Sequence, residues 1–79
     1  MRLYIVAGYT YGVEVKENQE PVVYTSKGDA QDYLKRVWKR TPKSDLSDYM
    51  ESGLVSDNLL IIYYDDDTVS EFEIFEVEI

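Results

Sequence analysis

The side chains of this sequence that could do chemistry are carboxylates, and they are concentrated in its last third. The set consists of an aspartate triplet followed by four glutamates in a nearly alternating series: Asp65, Asp66, Asp67, Glu71, Glu73, Glu76 and Glu78. Carboxylate oxygens of this kind could bind a hard cation such as Mg²⁺ or Ca²⁺. A pair of them could also serve as the acid and the base of glycoside hydrolysis.

Neither chemistry has the sequence pattern that it needs. A calcium-binding loop requires alternating ligands, a central glycine and a terminal glutamate, which the triplet lacks. A chain of 79 residues is far smaller than a usual cleft-bearing glycosidase domain. Because the sequence contains no histidine and no cysteine, the usual general base and the sulfur nucleophile are missing. We therefore predict that the protein is not an enzyme and has no cofactor and no metal site.

A β-hairpin is predicted to position these carboxylates. Residues 58–64 form a short apolar and aromatic run of strand length, and residues 65–68 supply turn formers. In residues 69–79 glutamates interleave with apolar side chains, as in a strand with one dry and one wet face. The alternation slips once, at Ile74 and Phe75, where we predict a single β-bulge.

The bulge would place all four glutamates on one face of the sheet. The side chains predicted to point inward are Phe72, Ile74, Val77 and Ile79. Carboxylates two residues apart on a strand are roughly 6.6 Å apart, which is of the same order as the step between neighbouring phosphates of nucleic acid. The predicted surface is therefore a row of negative charges suited to docking.

The first half of the chain predicts further strands and one helix. Residues 2–7 read as a strand that ends at Gly8, Val13 and Val15 belong to a half-buried strand, and residues 22–24 form another. The main helix begins at the N-cap Ser26. Its apolar stripe consists of Ala30, Tyr33, Leu34, Val37 and Trp38.

The end of this helix is rich in basic residues, which we interpret as complementing the negative end of the helix dipole. They are Lys35, Arg36, Lys39 and Arg40. Pro42 stops the helix, and a short second helix is predicted between Ser44 and Gly53.

The predicted fold is α+β, a small antiparallel β-sheet of about four strands in the order β-β-α-β-β with one main helix packed on one face. Residues 1–79 form a single domain. Because one helix covers only one face, the face that carries the glutamates would be left to water or to a partner.

The charge is distributed unevenly along the chain. The net charge is −8, yet residues 1–43 contain all eight basic residues against five acidic ones, whereas residues 44–79 contain eleven acidic residues and no basic one. This excess argues against direct binding to nucleic acid or to an anionic membrane, and favours a basic protein partner. The absence of cysteine fits a reducing cytoplasm, and the start of the sequence does not resemble a signal peptide. We expect a cytoplasmic protein.

A short, cysteine-free, strongly acidic and tyrosine-rich chain of this architecture resembles the early host-takeover proteins of lytic phages. Within that class it resembles the acidic DNA mimics of Bacillus-type phages that inhibit the histone-like protein HU. The resemblance implies an inhibitor in the host bacterial cytoplasm. Such an inhibitor would occupy the basic DNA-binding surface of an HU-like nucleoid protein and block DNA binding.

Two modes of action stay open from the sequence. A DNA mimic would dock the seven carboxylates named above against a basic groove, and its binding would weaken steeply with salt. The alternative is an adaptor or inhibitor of a host enzyme, such as RNA polymerase or a nuclease, that binds through tyrosines and a sheet edge. The tyrosines near predicted bends are Tyr9, Tyr11, Tyr63 and Tyr64. The sequence also leaves open whether the chain forms a homodimer.

Overall fold

The computed structural model of the protein describes residues 1–12 and 16–79. In this part of the chain one helix packs on one face of an antiparallel sheet, which confirms the α+β class, and the sheet has six strands rather than about four. The elements in chain order are β1 (Arg2–Tyr11), β2 (Lys16–Asn18), β3 (Val22–Tyr24), α1 (Lys27–Arg40), β4 (Gly53–Ser56), β5 (Leu59–Tyr63) and β6 (Val69–Glu78). The predicted strand at Val13 and Val15 lies outside the described residues.

The two longest strands, β1 and β6, form the centre of the sheet. They pair over their whole length, from Arg2 opposite Glu78 to Tyr11 opposite Val69. The sheet continues from β6 to β5 and then to β4, while β2 and β3 share the other edge of β1. The predicted hairpin of β5 and β6 is confirmed, and its antiparallel register runs from Leu59 to Tyr63.

The helix α1 forms as its sequence signals predict. The Ser26 hydroxyl accepts a hydrogen bond from the Asp29 backbone N–H at 3.4 Å, which satisfies one of the donors left free at a helix start. At the other end, the Thr41 hydroxyl donates to the Val37 carbonyl at 2.9 Å. The described part of the chain has no helix that is both long and apolar enough to cross a membrane.

The core lies between α1 and the sheet. Leu34 and Leu60 are fully buried, and burial of such a side chain contributes about 1.5–3 kcal/mol. Trp38 is only half-buried and packs against the edge of this cluster. The buried members are Val6, Ala30, Leu34, Leu60, Ile62, Phe72 and Ile74.

The first strand does not end at Gly8, as the sequence suggested, but continues to Tyr11. Gly8 lies opposite Phe72 on the core side of the sheet. A Cβ atom at this position would lie 2.8 Å from Cε1 of the Phe72 ring. The glycine is therefore explained by the close approach of an aromatic ring and not by a bend in the chain.

The predicted second helix is also wrong. Only a short 3₁₀ turn, Lys43–Asp45, forms there. A helix does not form because the backbone of this segment is hydrogen-bonded to the end of β5 and to the turn after it. The Ser47 N–H donates to the Tyr63 carbonyl, and the Asp65 N–H donates to the Asp45 carbonyl, both at 2.9 Å. Tyr49, which the helical pattern placed on an apolar stripe, is 96% exposed.

Candidate binding surface

The register of β6 shows that its four glutamates do not share a face. Pairing with β1 is regular from Val69 to Glu78, so the bulge predicted at Ile74 and Phe75 is absent. Because side chains of a regular strand alternate between faces, Glu71 and Glu73 point away from the helix. Glu76 and Glu78 lie on the helix side together with Phe72 and Ile74. The prediction of one row of four glutamates is therefore wrong.

The two glutamates on the helix side are paired with a cation. Nη1 of Arg2 lies 3.3 Å from Oε1 of Glu76, and Nε of Arg2 lies 3.2 Å from Oε2 of Glu78. All three side chains are largely exposed, so these ion pairs contribute only about 0–1 kcal/mol each. They do place a positive charge among the carboxylates at this end of the sheet.

The aspartate triplet forms the hairpin turn, as predicted. Asp67 has a φ of 68°, a left-handed conformation that aspartate tolerates better than most residues. Hydrogen bonds from the Thr68 side chain and backbone lower the pKa of Asp66, and the backbone bond measures 3.0 Å. No group of three or more acidic side chains in the described residues is arranged to hold a metal ion.

The sheet face opposite α1, which we call the helix-free face, is mainly apolar and aromatic. The register puts Tyr9, Tyr11, Phe75 and Val77 on it, with exposures of 36%, 42%, 42% and 37%. Val23 of β3, opposite Ile5, is 54% exposed. The face consists of Leu3, Ile5, Ala7, Tyr9, Tyr11, Lys16, Asn18, Val23, Leu59, Ile61, Tyr63, Val69, Glu71, Glu73, Phe75 and Val77.

Glu71 and Glu73 lie in the middle of this apolar surface. Glu71 is flanked across the strands by Tyr9 and Ile61, and Glu73 by Ala7 and Leu59. Both glutamates are half-buried. Both ion pairs in the described residues belong to Arg2 on the other face, so these two carboxylates have no cationic neighbour within salt-bridge distance.

The pKa of the Tyr11 phenol is shifted by this environment. Desolvation raises the pKa of Tyr11, and the nearby carboxylate of Glu71 raises it further by charge and by hydrogen bonding. On the edge strand β2, Lys16 lies opposite Tyr11. It is the one basic side chain that the register places on the helix-free face among the described residues.

This arrangement suits the recognition of a basic side chain. A carboxylate offers charge-assisted hydrogen bonds to lysine or arginine, and a neighbouring tyrosine ring can contact the same cation through its face. The apolar residues around Glu71 and Glu73 would exclude water from such a contact, which strengthens it electrostatically.

The sequence does contain an indication of this apolar face, which the prediction of a hairpin with one dry and one wet face did not use. Residues 3–7 and 59–63 are continuous apolar runs without alternation, a pattern typical of strands that bury both faces. The consecutive apolar residues Ile74 and Phe75 also indicate two apolar faces, because consecutive residues of a regular strand lie on opposite faces. Comparison with protein-family models, with curated proteins and with solved structures gave no match.

Proposed function

We propose that this protein is a non-enzymatic binding protein that holds a basic partner protein against its helix-free face. The observation that carries the proposal is the position of Glu71 and Glu73, two carboxylates without a cation inside an exposed apolar and aromatic surface. An inhibitor or adaptor of a host enzyme, acting in the bacterial cytoplasm, fits this description. Tyr9, Tyr11 and Tyr63 of the alternative mode then act from the sheet face and not from its edge, whereas Tyr64 packs against the core.

The apolar character of the face favours a protein partner over permanent exposure to water. Contiguous apolar patches on small monomers are usually small, and larger ones mark interaction sites. Interface centres are enriched in aromatic side chains, and Tyr9, Tyr11 and Phe75 supply them here.

The two carboxylates favour a basic partner. An apolar partner surface would desolvate Glu71 and Glu73 without replacing their hydrogen bonds to water, which is costly. Lysine or arginine side chains of a partner would satisfy both. The net charge of −8 would also speed the encounter with a basic protein.

A second copy of this chain fits the face less well. A symmetric dimer would use the same patch on both copies and would bury both pairs of glutamates in one apolar interface. Lys16 at the edge is the one described basic residue available to compensate them. A heterologous partner that supplies its own cations avoids this cost.

The experiment is partner capture from bacterial lysate followed by binding of the purified partner to defined variants. Phe75→Arg, which replaces an exposed ring at the centre of the face with a cation, is expected to abolish binding. The control Tyr49→Arg changes another exposed aromatic residue, 96% accessible and off the face, and is expected to bind like the parent. Equal binding by both variants would contradict the proposal.

A second candidate is the DNA mimic that acts on an HU-like nucleoid protein. It is favoured by five carboxylates of the hairpin, three in the exposed turn and two on the helix-free face of β6, together with the absence of any basic residue after Lys43. They are Asp65, Asp66, Asp67, Glu71 and Glu73. Glu76 and Glu78 would contribute less, since both are already paired with Arg2.

Competition with duplex DNA tests this candidate. A purified HU-like protein is first bound to the acidic protein, and duplex DNA is then added. Displacement by DNA supports the mimic, and a complex that tolerates saturating DNA would contradict it. Retardation of naked DNA by the acidic protein alone would contradict both candidates, because neither provides phosphate contacts.

A further inference from the structure

The outermost strand on the β5 side of the sheet, β4, has an open edge. It pairs with β5 alone among the described residues, and its outward side chains are not protected by lysine or proline. Val55 is 65% exposed and Leu54 is 39% exposed. An unpaired strand edge with apolar side chains is a template for the addition of another strand.

A groove follows this edge. It has a volume of about 240 Å³ and is lined by Glu51, Ser52, Gly53, Leu54 and Val55. The indole of Trp38 lies beside the lining residue Gly53, since its Cζ2 atom lies 3.8 Å from the position that a Cβ atom of Gly53 would take.

The charges around the groove are negative. Glu51 lines it, and Asp48 and Asp57 flank the lining segment in sequence. The last basic residue of the chain, Lys43, precedes this segment and is held against the indole of Trp38, with Nζ 3.2 Å from the ring centroid. Residues 44–79 contain no basic residue, and both ion pairs of the described residues belong to Arg2, so Glu51 has no salt-bridge partner among them.

We propose that the β4 edge binds a basic peptide segment in extended conformation, which pairs with β4 as an added strand and places an apolar side chain in the groove along residues 51–55. Backbone hydrogen bonds along the edge provide affinity, and alternate side chains provide specificity. Lysine or arginine at the positions between would meet Glu51 and its acidic neighbours. This site is separate from the helix-free face and does not depend on it.

The probe is a synthetic peptide of alternating lysine and valine, about eight residues long, within the usual length of a strand. Trp38 is the sole tryptophan and lies beside the lining residue Gly53, so its fluorescence is expected to respond when a peptide binds along β4. We expect a saturable change with this peptide, and amide NMR shifts confined to residues 51–58. Absence of binding, or shifts centred on Glu71 and Glu73, would overturn the proposal.

Two comparisons separate strand addition from general charge attraction. The same peptide with alternate backbone amides N-methylated keeps its charge but cannot pair with an edge, so it is expected not to bind. Val55→Lys is expected to weaken binding at least about tenfold by like-charge repulsion, whereas the matched Val55→Glu variant should bind as well as the parent or better. Equal affinity for the methylated peptide, or equal loss in both Val55 variants, would overturn the proposal.

Discussion

Gly8 and Phe72 face each other across the central strand pair, so closely that a Cβ atom on Gly8 would lie 2.8 Å from the Phe72 ring. The contact joins the first strand of the chain to the last one on the core side of the sheet. It explains why a glycine occupies the interior of one of the two longest strands. It also shows that the ring of Phe72 fills space that any larger residue at position 8 would need.

Gly8→Ala is therefore expected to destabilise the protein. The added methyl group must displace the Phe72 ring or the strand, and such overpacking costs about 1–3 kcal/mol. Gly28→Ala is the matched control, because a Cβ there meets nothing closer than the Ser26 hydroxyl at 3.7 Å. The measurement is urea unfolding. A Gly8→Ala variant as stable as the parent would show that the contact is loose.

Substitutions of the two phenylalanines of β6 are expected to have different effects, one on stability and the other on partner binding. Phe72 is 6% exposed and Phe75 is 42% exposed, on opposite faces of the strand. Phe72→Ala should cost about 3–5 kcal/mol of unfolding free energy, a large part of what a small domain has. Phe75→Ala should melt close to the parent but lose partner binding. The reverse pattern in unfolding curves would mean that the faces are assigned wrongly.

The raised pKa of the Tyr11 phenol makes stability depend on pH in the alkaline range, which can be measured. Its pKa is raised by desolvation first and by Glu71 second, so the folded state holds this proton more tightly than the unfolded state. The resulting stability is present below the ordinary tyrosine pKa of about 10 and is lost as the pH rises through the folded value.

Glu71→Gln is expected to lower the pKa of Tyr11 towards its ordinary value, with the contribution of desolvation remaining. Ultraviolet or NMR titration of the phenol measures it. The control is Glu76→Gln on the other face, which should leave the titration unchanged. An unchanged pKa in Glu71→Gln would show that Glu71 and Tyr11 do not interact.

The elements with strong local signals were predictable from the sequence. Ser26 and the apolar stripe from Ala30 to Trp38 define α1, and Asp66 with Asp67 defines the hairpin turn. In each of these cases the signal comes from neighbouring residues, and tertiary packing agrees with it.

The predictions that were wrong concern elements whose structure depends on contacts between residues that are distant in sequence. The slip at Ile74 and Phe75 looks like a bulge only if one face of β6 is assumed to be dry, whereas the strand has apolar side chains on both faces. The second helix predicted between Ser44 and Gly53 is too short to form in competition with the hydrogen bonds that β5 and the turn after it offer. The division of the glutamates between two faces follows from the unbroken pairing of β6 with β1, whereas the local sequence is compatible with either a regular or a bulged strand.

We propose that the carboxylates on the helix-free face bind the partner and that those on the helix side do not. Two double variants are compared, Glu71→Gln/Glu73→Gln and Glu76→Gln/Glu78→Gln. Both remove two negative charges from β6, so they differ only in the face of the sheet from which the charges are removed. The measurement is the dissociation constant of each double variant with the purified partner, together with its melting temperature.

We predict that the Glu71→Gln/Glu73→Gln variant keeps its stability and loses affinity by about thirtyfold or more, since truncating a desolvated charge pair costs about 2–5 kcal/mol. The Glu76→Gln/Glu78→Gln variant should lose no more than about fivefold, the limit for exposed charges. Equal losses of affinity in the two variants, or a larger loss from the helix side, would contradict the account.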